Sequence, residues 1–190
     1  MMKRILTTGS NPSWLGQLTW RRAAGLDADA FAELYRAFAE AVFNYCLFRV
    51  GSRAVAEDLT GDTFERVWRA RRRYQPERAA FSTWLFTIAR HVVTDWQRQQ
   101  ARRPWFRLSD QHPDEALSLE AQVEESEEQL QLRRLLRALA PAEQELIALK
   151  FGAGLTNREI ARLIEKSETA VGSAVYRIMQ KLRTKWNTTG

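Results

Sequence analysis

The residues of this chain best suited to chemistry are cations and hydroxyls at helical spacing. In the segment FSTWLFTIARHVVTDWQRQQARRPW, from Phe81 to Trp105, Thr87, Arg90, His91, Thr94 and Arg98 recur at steps close to a helical turn. At 3.6 residues per turn they share one stripe. Arg102 and Arg103 extend it to Pro104. Guanidinium, imidazole and hydroxyl groups together suit contact with phosphates and base edges. The stripe has no carboxylate at its centre, and Asp95 lies at its edge. Trp84, Leu85, Ile88, Ala89, Val92, Val93 and Trp96 rotate to the other side as an apolar face. Taken alone, these residues fit either a DNA-facing stripe or a solvated basic face.

Other chemistries lack their residues. His91, His112 and Cys46 are the only histidines and cysteine, too few for a usual zinc set. FGAGLT lacks the lysine and spacing of a phosphate loop, and no nucleophile elbow is present. No catalytic residue, metal, cofactor or small-molecule substrate is expected, so the chain is not read as an enzyme. Cys46 on an apolar helical face reads as core packing. A single cysteine permits no intramolecular disulfide.

Charge is unevenly distributed along the 190 residues, whose net charge is +6. Residues 66–107 carry +9, residues 108–128 carry −8 and residues 129–190 carry +6. Two basic blocks flank an acidic one, which suggests a polyanionic partner. No stretch approaches the roughly 18 apolar residues of a membrane span, and the N-terminal segment has no apolar run typical of a signal peptide. A cytoplasmic protein without membrane insertion is expected.

The elements that must position these residues read as helices throughout. From Asp29, Phe31, Leu34, Tyr35, Phe38, Val42 and Cys46 keep helical spacing, and Gly51 and Ser52 mark a stop and a new cap. The next helix, RAVAEDLTGDTFERVWRARRR, turns Leu59, Thr63, Phe64, Val67 and Trp68 inward and ends before Pro76. Its other side carries Asp58, Asp62, Glu65 and Arg69, a row that suits a protein partner or plain solvation. Ser82 is expected to cap the helix of the basic stripe. Residues 104–128 read as a linker. Leu130, Leu132, Leu135, Leu136 and Leu139 mark a further helix. Pro141 then opens another, with Glu143 and Glu145 near its positive end.

In LTNREIARLIEKSETAVGSAVYRIMQKLR, Thr156 and Glu159 form a capping box. Ile160, Ala161 and Ile164 face inward, and Ser167 caps the next helix after a short turn. Val171, Val175, Ile178 and Leu182 take the inner side of that helix; Thr169, Ser173, Tyr176 and Gln180 point away, with Arg177 on the flank. This is a helix-turn-helix plan, whose second helix enters a major groove. The fold class is all-α: two small helical domains joined by an acidic flexible linker. The domains are expected at 27–103 and 129–187, with 1–26 an extension and 104–128 the linker.

AEDLTGDTFERVWRA, FSTWLFTIARHVVTDWQRQQARR and the helix-turn-helix segment, in that order, resemble bacterial sigma factors of the extracytoplasmic-function group. The likeness covers about residues 29–103 and 131–185. It implies conserved regions two and four, with core RNA polymerase, promoter DNA and an anti-sigma protein as partners. It places Asp58, Asp62, Glu65 and Arg69 on the helix that docks polymerase. It places Arg90, His91, Thr94, Arg98, Arg102 and Arg103 towards the minus-ten element, and the Tyr74–Ser82 loop where an unstacked base is captured. Thr169, Ser173, Tyr176, Arg177 and Gln180 fall on the minus-thirty-five recognition helix. The sequence departs from the family pattern at Gly61, usually Gln, at His91, often Asn, and at Gly172 and Ala174, usually Lys and Arg. Loss of two cations predicts weaker phosphate binding with a flatter salt dependence. Two other readings are a sigma mimic that titrates an anti-sigma protein and a helix-turn-helix regulator independent of polymerase.

Overall fold

The structure is a computed structural model that describes residues 28–102 and 127–189. Every regular element among the described residues is helical. Helix α1 spans Ala28–Val50, and its buried side carries Leu34, Phe38, Val42, Tyr45 and Cys46. Tyr45 joins the expected set, whereas Tyr35 turns outward at 46% exposure. Burial pushes the Cys46 thiol up to about 12, which keeps it protonated and unreactive.

Gly51 adopts φ +72°, the left-handed conformation that ends helices cheaply only at glycine. Ser52 then accepts a hydrogen bond from the Val55 N–H and caps α2, Arg53–Ala70. Two threonines of α2 are buried without penalty: Thr60 donates to the Ala56 carbonyl at 2.6 Å, Thr63 to that of Leu59 at 2.7 Å. A 3-10 turn, Arg71–Arg73, closes α2, and Tyr74 is extended. Helix α3 runs from Phe81 to Arg102. Ser82 is not its cap, because the helix already begins one residue earlier and the Trp84 N–H donates to the Ala80 carbonyl. Helices α1, α2 and α3 pack pairwise into one bundle.

The second bundle comprises α4 (Glu127–Arg137), α5 (Pro141–Ile147), α6 (Asn157–Leu163) and α7 (Glu168–Thr189). Helix α5 continues into a π-helical turn, Ala148–Gly152. Leu132 and Leu139 are buried, but Leu130 is 38% exposed at the start of α4, so it is not part of the core. The expected capping box is present: the Glu159 N–H donates to Thr156 Oγ1 at 3.2 Å, and Glu159 Oε2 accepts from the Thr156 N–H at 2.9 Å. Ser167 caps α7 by accepting from the Ala170 N–H.

The two bundles are packed against each other. One contiguous apolar core includes buried residues of both bundles, among them Leu34 and Leu182. The backbones approach closely at Gly152. A Cβ there would lie 3.1 Å from the Asn44 carbonyl oxygen, the Tyr45 Cα and Phe48 Cδ2, all on α1. A side chain there would require α1 to give by a few tenths of an ångström.

Candidate nucleic-acid interface

Helix α3 is the platform for the basic stripe. Phe81, Thr83, Leu85, Phe86, Ala89, Val92 and Val93 are buried in its bundle. Phe86 meets Tyr45 edge-on, with ring centroids 5.8 Å apart. Trp84 and Trp96, expected on the inner side, are half-buried at its margins. Burial of these aromatic rings is favourable, and edge-on ring pairs add to it.

The stripe itself is divided. His91, Arg98 and Arg102 are exposed, and Thr87 and Thr94 are half-buried. Thr87 donates to the Thr83 carbonyl at 2.8 Å and therefore serves its own helix. Arg103 lies outside the described residues. Asp95 pairs with Arg66 of α2 at 2.9 Å, an exposed bridge of modest worth. Arg90 is the exception. Its Nε donates to Glu145 Oε1 of α5 at 2.8 Å, and its Nη1 to the Leu163 carbonyl at 2.9 Å.

Glu145 is the centre of a four-residue cluster that the sequence did not reveal. Besides Arg90, its carboxylate accepts from the Tyr45 hydroxyl at 3.1 and 3.3 Å. Arg49 Nε stands 3.2 Å from Oε2 as an ion pair, with the Arg49 side chain 7% and the Glu145 side chain 16% exposed. Burial first, and the neighbouring Glu145 carboxylate second, hold the Tyr45 phenol well above its ordinary value. It remains a donor. A second cross-bundle contact joins Ser82 Oγ to Glu159 Oε1 at 2.7 Å. Glu159 thus caps α6 with one oxygen and reads α3 with the other. Glu143, by contrast, stays within its bundle: it accepts from the Ala140 N–H and from Lys181 Nζ, both at 2.9 Å.

Beside α3, the loop after Tyr74 is closed by the Tyr74 hydroxyl, which donates to the Ala79 carbonyl at 2.8 Å. Tyr74, Phe81 and Trp84 form an aromatic cluster with centroids 5.0–5.7 Å apart. Burial, then the charge of Glu77, push the Tyr74 phenol up to about 12. Phe81 is buried in this cluster, and Tyr74 and Trp84 are half-buried.

The outer face of α7 is open. Thr169, Ser173, Tyr176, Arg177 and Gln180 are all exposed, Tyr176 to 65%. Val171, Ile178 and Leu182 are buried behind them, and Val175 is half-buried. The acidic row on α2 is equally open: Asp58, Asp62, Glu65 and Arg69 are exposed, with Glu65 and Arg69 paired one turn apart.

Comparison with known proteins decides the family. The profile described as Sigma-70 region 2 matches residues 34–103, and that described as Sigma-70, region 4 matches residues 129–182. The ECF RNA polymerase sigma factor BldN of Streptomyces coelicolor is 36% identical over 180 residues, 91% of this chain and 66% of that protein. The ECF RNA polymerase sigma factor RpoE of Cereibacter sphaeroides is 34% identical over 138 residues, 71% of this chain and 74% of its own. ShbA of Streptomyces griseus, another ECF sigma factor, is 30% identical over 179 residues, 89% of this chain and 93% of its own. This chain belongs to the ECF sigma factors. The sigma factor's fold also matches two solved structures. CnrH in complex with the cytosolic domain of CnrY superposes with a TM-score of 0.70, at 22% identity over 93% of this chain and 99% of that one. The sigma factor RpoE of Bartonella quintana, in complex with the anti-sigma factor NepR, gives 0.64 at 22% identity over 83% and 96%. In this sigma factor α1–α3 form region 2, and α4–α7 form region 4. Among the described residues no helix is long and apolar enough to cross a membrane.

Proposed function

We propose that the chain is an alternative sigma factor that binds core RNA polymerase, recognises promoter minus-ten and minus-thirty-five elements and promotes strand opening. The observation that carries this reading is the order of two family regions on one chain, each presenting an exposed polar helix face. Residues 27–103 act as region 2 and residues 129–187 as region 4, with 1–26 an extension and 104–128 the linker. Asp58, Asp62, Glu65 and Arg69 on α2 dock polymerase. Arg90, His91, Thr94, Arg98, Arg102 and Arg103 face the minus-ten element, where cations hold phosphates and the imidazole and hydroxyl reach base edges. The Tyr74–Ser82 loop, which carries the half-buried Tyr74 ring, captures an unstacked base. Thr169, Ser173, Tyr176, Arg177 and Gln180 enter the major groove at the minus-thirty-five element. An anti-sigma protein is a further partner, by analogy with the relatives solved in such complexes. The chain acts as a transcription factor in the cytoplasm and carries out no catalysis of its own.

The test is reconstitution with core polymerase and a panel of promoters. Specific transcripts that depend on the chain are expected. Failure to bind core at micromolar concentration would refute the proposal. Capture of an anti-sigma protein without any transcript would identify a mimic, and tight promoter binding by the isolated chain a polymerase-independent regulator.

A further inference from the structure

We infer that the turn Arg71–Arg73 is a phosphate clamp for the unpaired promoter strand, in which Arg72 and Arg73 hold the backbone and Arg71 positions them. The inference rests on the reading of the Tyr74–Ser82 loop as the site of base capture. That loop begins where the turn ends.

Five arginines crowd residues 66–73, RVWRARRR. Three of them serve the fold. Arg66 pairs with Asp95 of α3 at 2.9 Å, and Arg69 pairs with Glu65 one turn before it. Arg71 lies over the Trp68 ring, its Cζ 3.6 Å from the centroid, and its Nη1 donates to the Trp68 carbonyl at 2.6 Å. The Trp68 ring is itself set against Phe31 of α1, with centroids 4.8 Å apart. A planar guanidinium that stacks on a residue and bonds to its carbonyl has little freedom left. The Arg71 carbonyl also accepts from the Tyr74 N–H at 3.3 Å, so this residue fixes the point from which the loop departs.

Arg72 and Arg73 differ from these three. Both are exposed, and among the described residues neither makes an ion pair or a side-chain hydrogen bond. The loop itself contains Glu77 and Arg78, whose charges offset each other. The net positive charge beside Tyr74 therefore comes from the turn. A base held by the loop carries its own sugar and phosphate with it, so the strand must run close to this turn. Two free guanidiniums on a stapled backbone suit that strand, because each can bind a phosphate through two N–H groups. Holding the backbone there opposes return of the captured base to the duplex. The clamp thus favours the open promoter.

The test uses the full chain with core polymerase and three templates: a paired promoter, a promoter with a premelted minus-ten segment, and a duplex carrying the minus-thirty-five element alone. Arg72→Ala with Arg73→Ala is expected to weaken binding to the premelted promoter about tenfold and to lower the slope of log affinity against log salt by about 1.4, two single-strand contacts at about 0.7 each. Core binding without DNA and the thermal unfolding midpoint should not change. Arg71→Ala should weaken premelted binding about threefold, and Arg71→Lys should do the same, because an ammonium keeps the charge and loses the flat stack. With Arg72 and Arg73 already replaced, Arg71→Ala should add less than about twofold, since it acts through them. Unchanged affinity and slope in the double variant overturn the clamp. An equal loss on the minus-thirty-five duplex overturns its assignment to the unpaired strand. Wild-type behaviour of Arg71→Lys, or a full additive loss, overturns the positioning role of Arg71. A wild-type chain that binds neither core nor promoter brings down the sigma-factor reading and the clamp with it, whereas an active wild type with unaffected variants removes the clamp alone.

Discussion

Helices α3 and α7 both carry candidate DNA-facing residues, and the molecule treats them differently. On α7 the five assigned side chains are exposed over a buried apolar stripe. On α3 the stripe is split: His91, Arg98 and Arg102 are exposed, but Arg90 is held by Glu145 and Leu163. The α7 face needs only its own bundle behind it. The α3 face adjoins a second bundle, so its availability depends on how the two regions are arranged. Rotation of the sequence accounts for the exposure of the α7 residues, whereas on α3 the neighbouring bundle has to be added.

The largest effects should come from the buried sides of the same two helices. Phe86→Ala in α3 removes a fully buried ring and should cost about 3–5 kcal/mol; Ile178→Ala in α7 should cost about 2–5 kcal/mol. Because one apolar core spans both regions, each substitution should lower a single denaturant transition seen by probes in both. Two separate transitions, each responding to one substitution only, would break the link between regions and leave the helices independent.

Next come the exposed cations. Arg98→Ala on α3 and Arg177→Ala on α7 should each reduce the slope of log affinity against log salt by about 1, in promoter binding by the reconstituted polymerase. Asp58→Ala with Asp62→Ala should weaken core binding and leave that slope unchanged. Arg90→Ala should differ from Arg98→Ala, because it also releases Glu145. A matching response from both arginines would remove the contrast between free and sequestered positions on α3.

A smaller effect follows from pH. Burial raises the phenols of Tyr45 and Tyr74, the latter to about 12, from an ordinary value of 10. A folded-state value above the unfolded one stabilises the fold below pH 10, and that contribution is lost as pH rises through the folded value. Stability measured by denaturant should therefore fall between pH 10 and about 12. Tyr45→Phe should flatten part of that fall and loosen the contact with Glu145. No change in slope for Tyr45→Phe would mean that this phenol contributes nothing across the regions.

What was legible in the sequence divides along the same line. The helices, the Ser52 and Thr156 caps and the exposed face of α7 follow from local rules, because periodicity and capping act within a few residues. Arg90 was assigned to the polar stripe by rotation, but its partner lies 55 positions away. Nothing local marks Glu145 either. Glu143 and Glu145 lie two positions apart on one short helix, yet Glu143 turns to Lys181 and Glu145 to region 2. Nothing in FGAGLT marks Gly152 for its close approach to α1, which is a tertiary requirement. Ser82 was misread as a cap through a two-residue error in the start of α3, and its hydroxyl serves Glu159 instead.

The smallest predicted effect sharpens the contrast from the side of α2. Gly61 lies in the middle of that helix, between Asp58 and Asp62, and a Cβ added there would meet nothing within 4 Å. Glycine in a helix interior costs about 1 kcal/mol relative to alanine, because more backbone freedom is lost on folding. Gly61→Ala should therefore stabilise the chain by about that amount. At Gly152 the same added atom would strike α1, so Gly152→Ala should destabilise the closed arrangement. Opposite signs at the two glycines, measured by thermal unfolding and by the distance between regions, would separate a glycine retained on an open docking face from one required by packing. Equal signs would deny Gly152 its place in the contact.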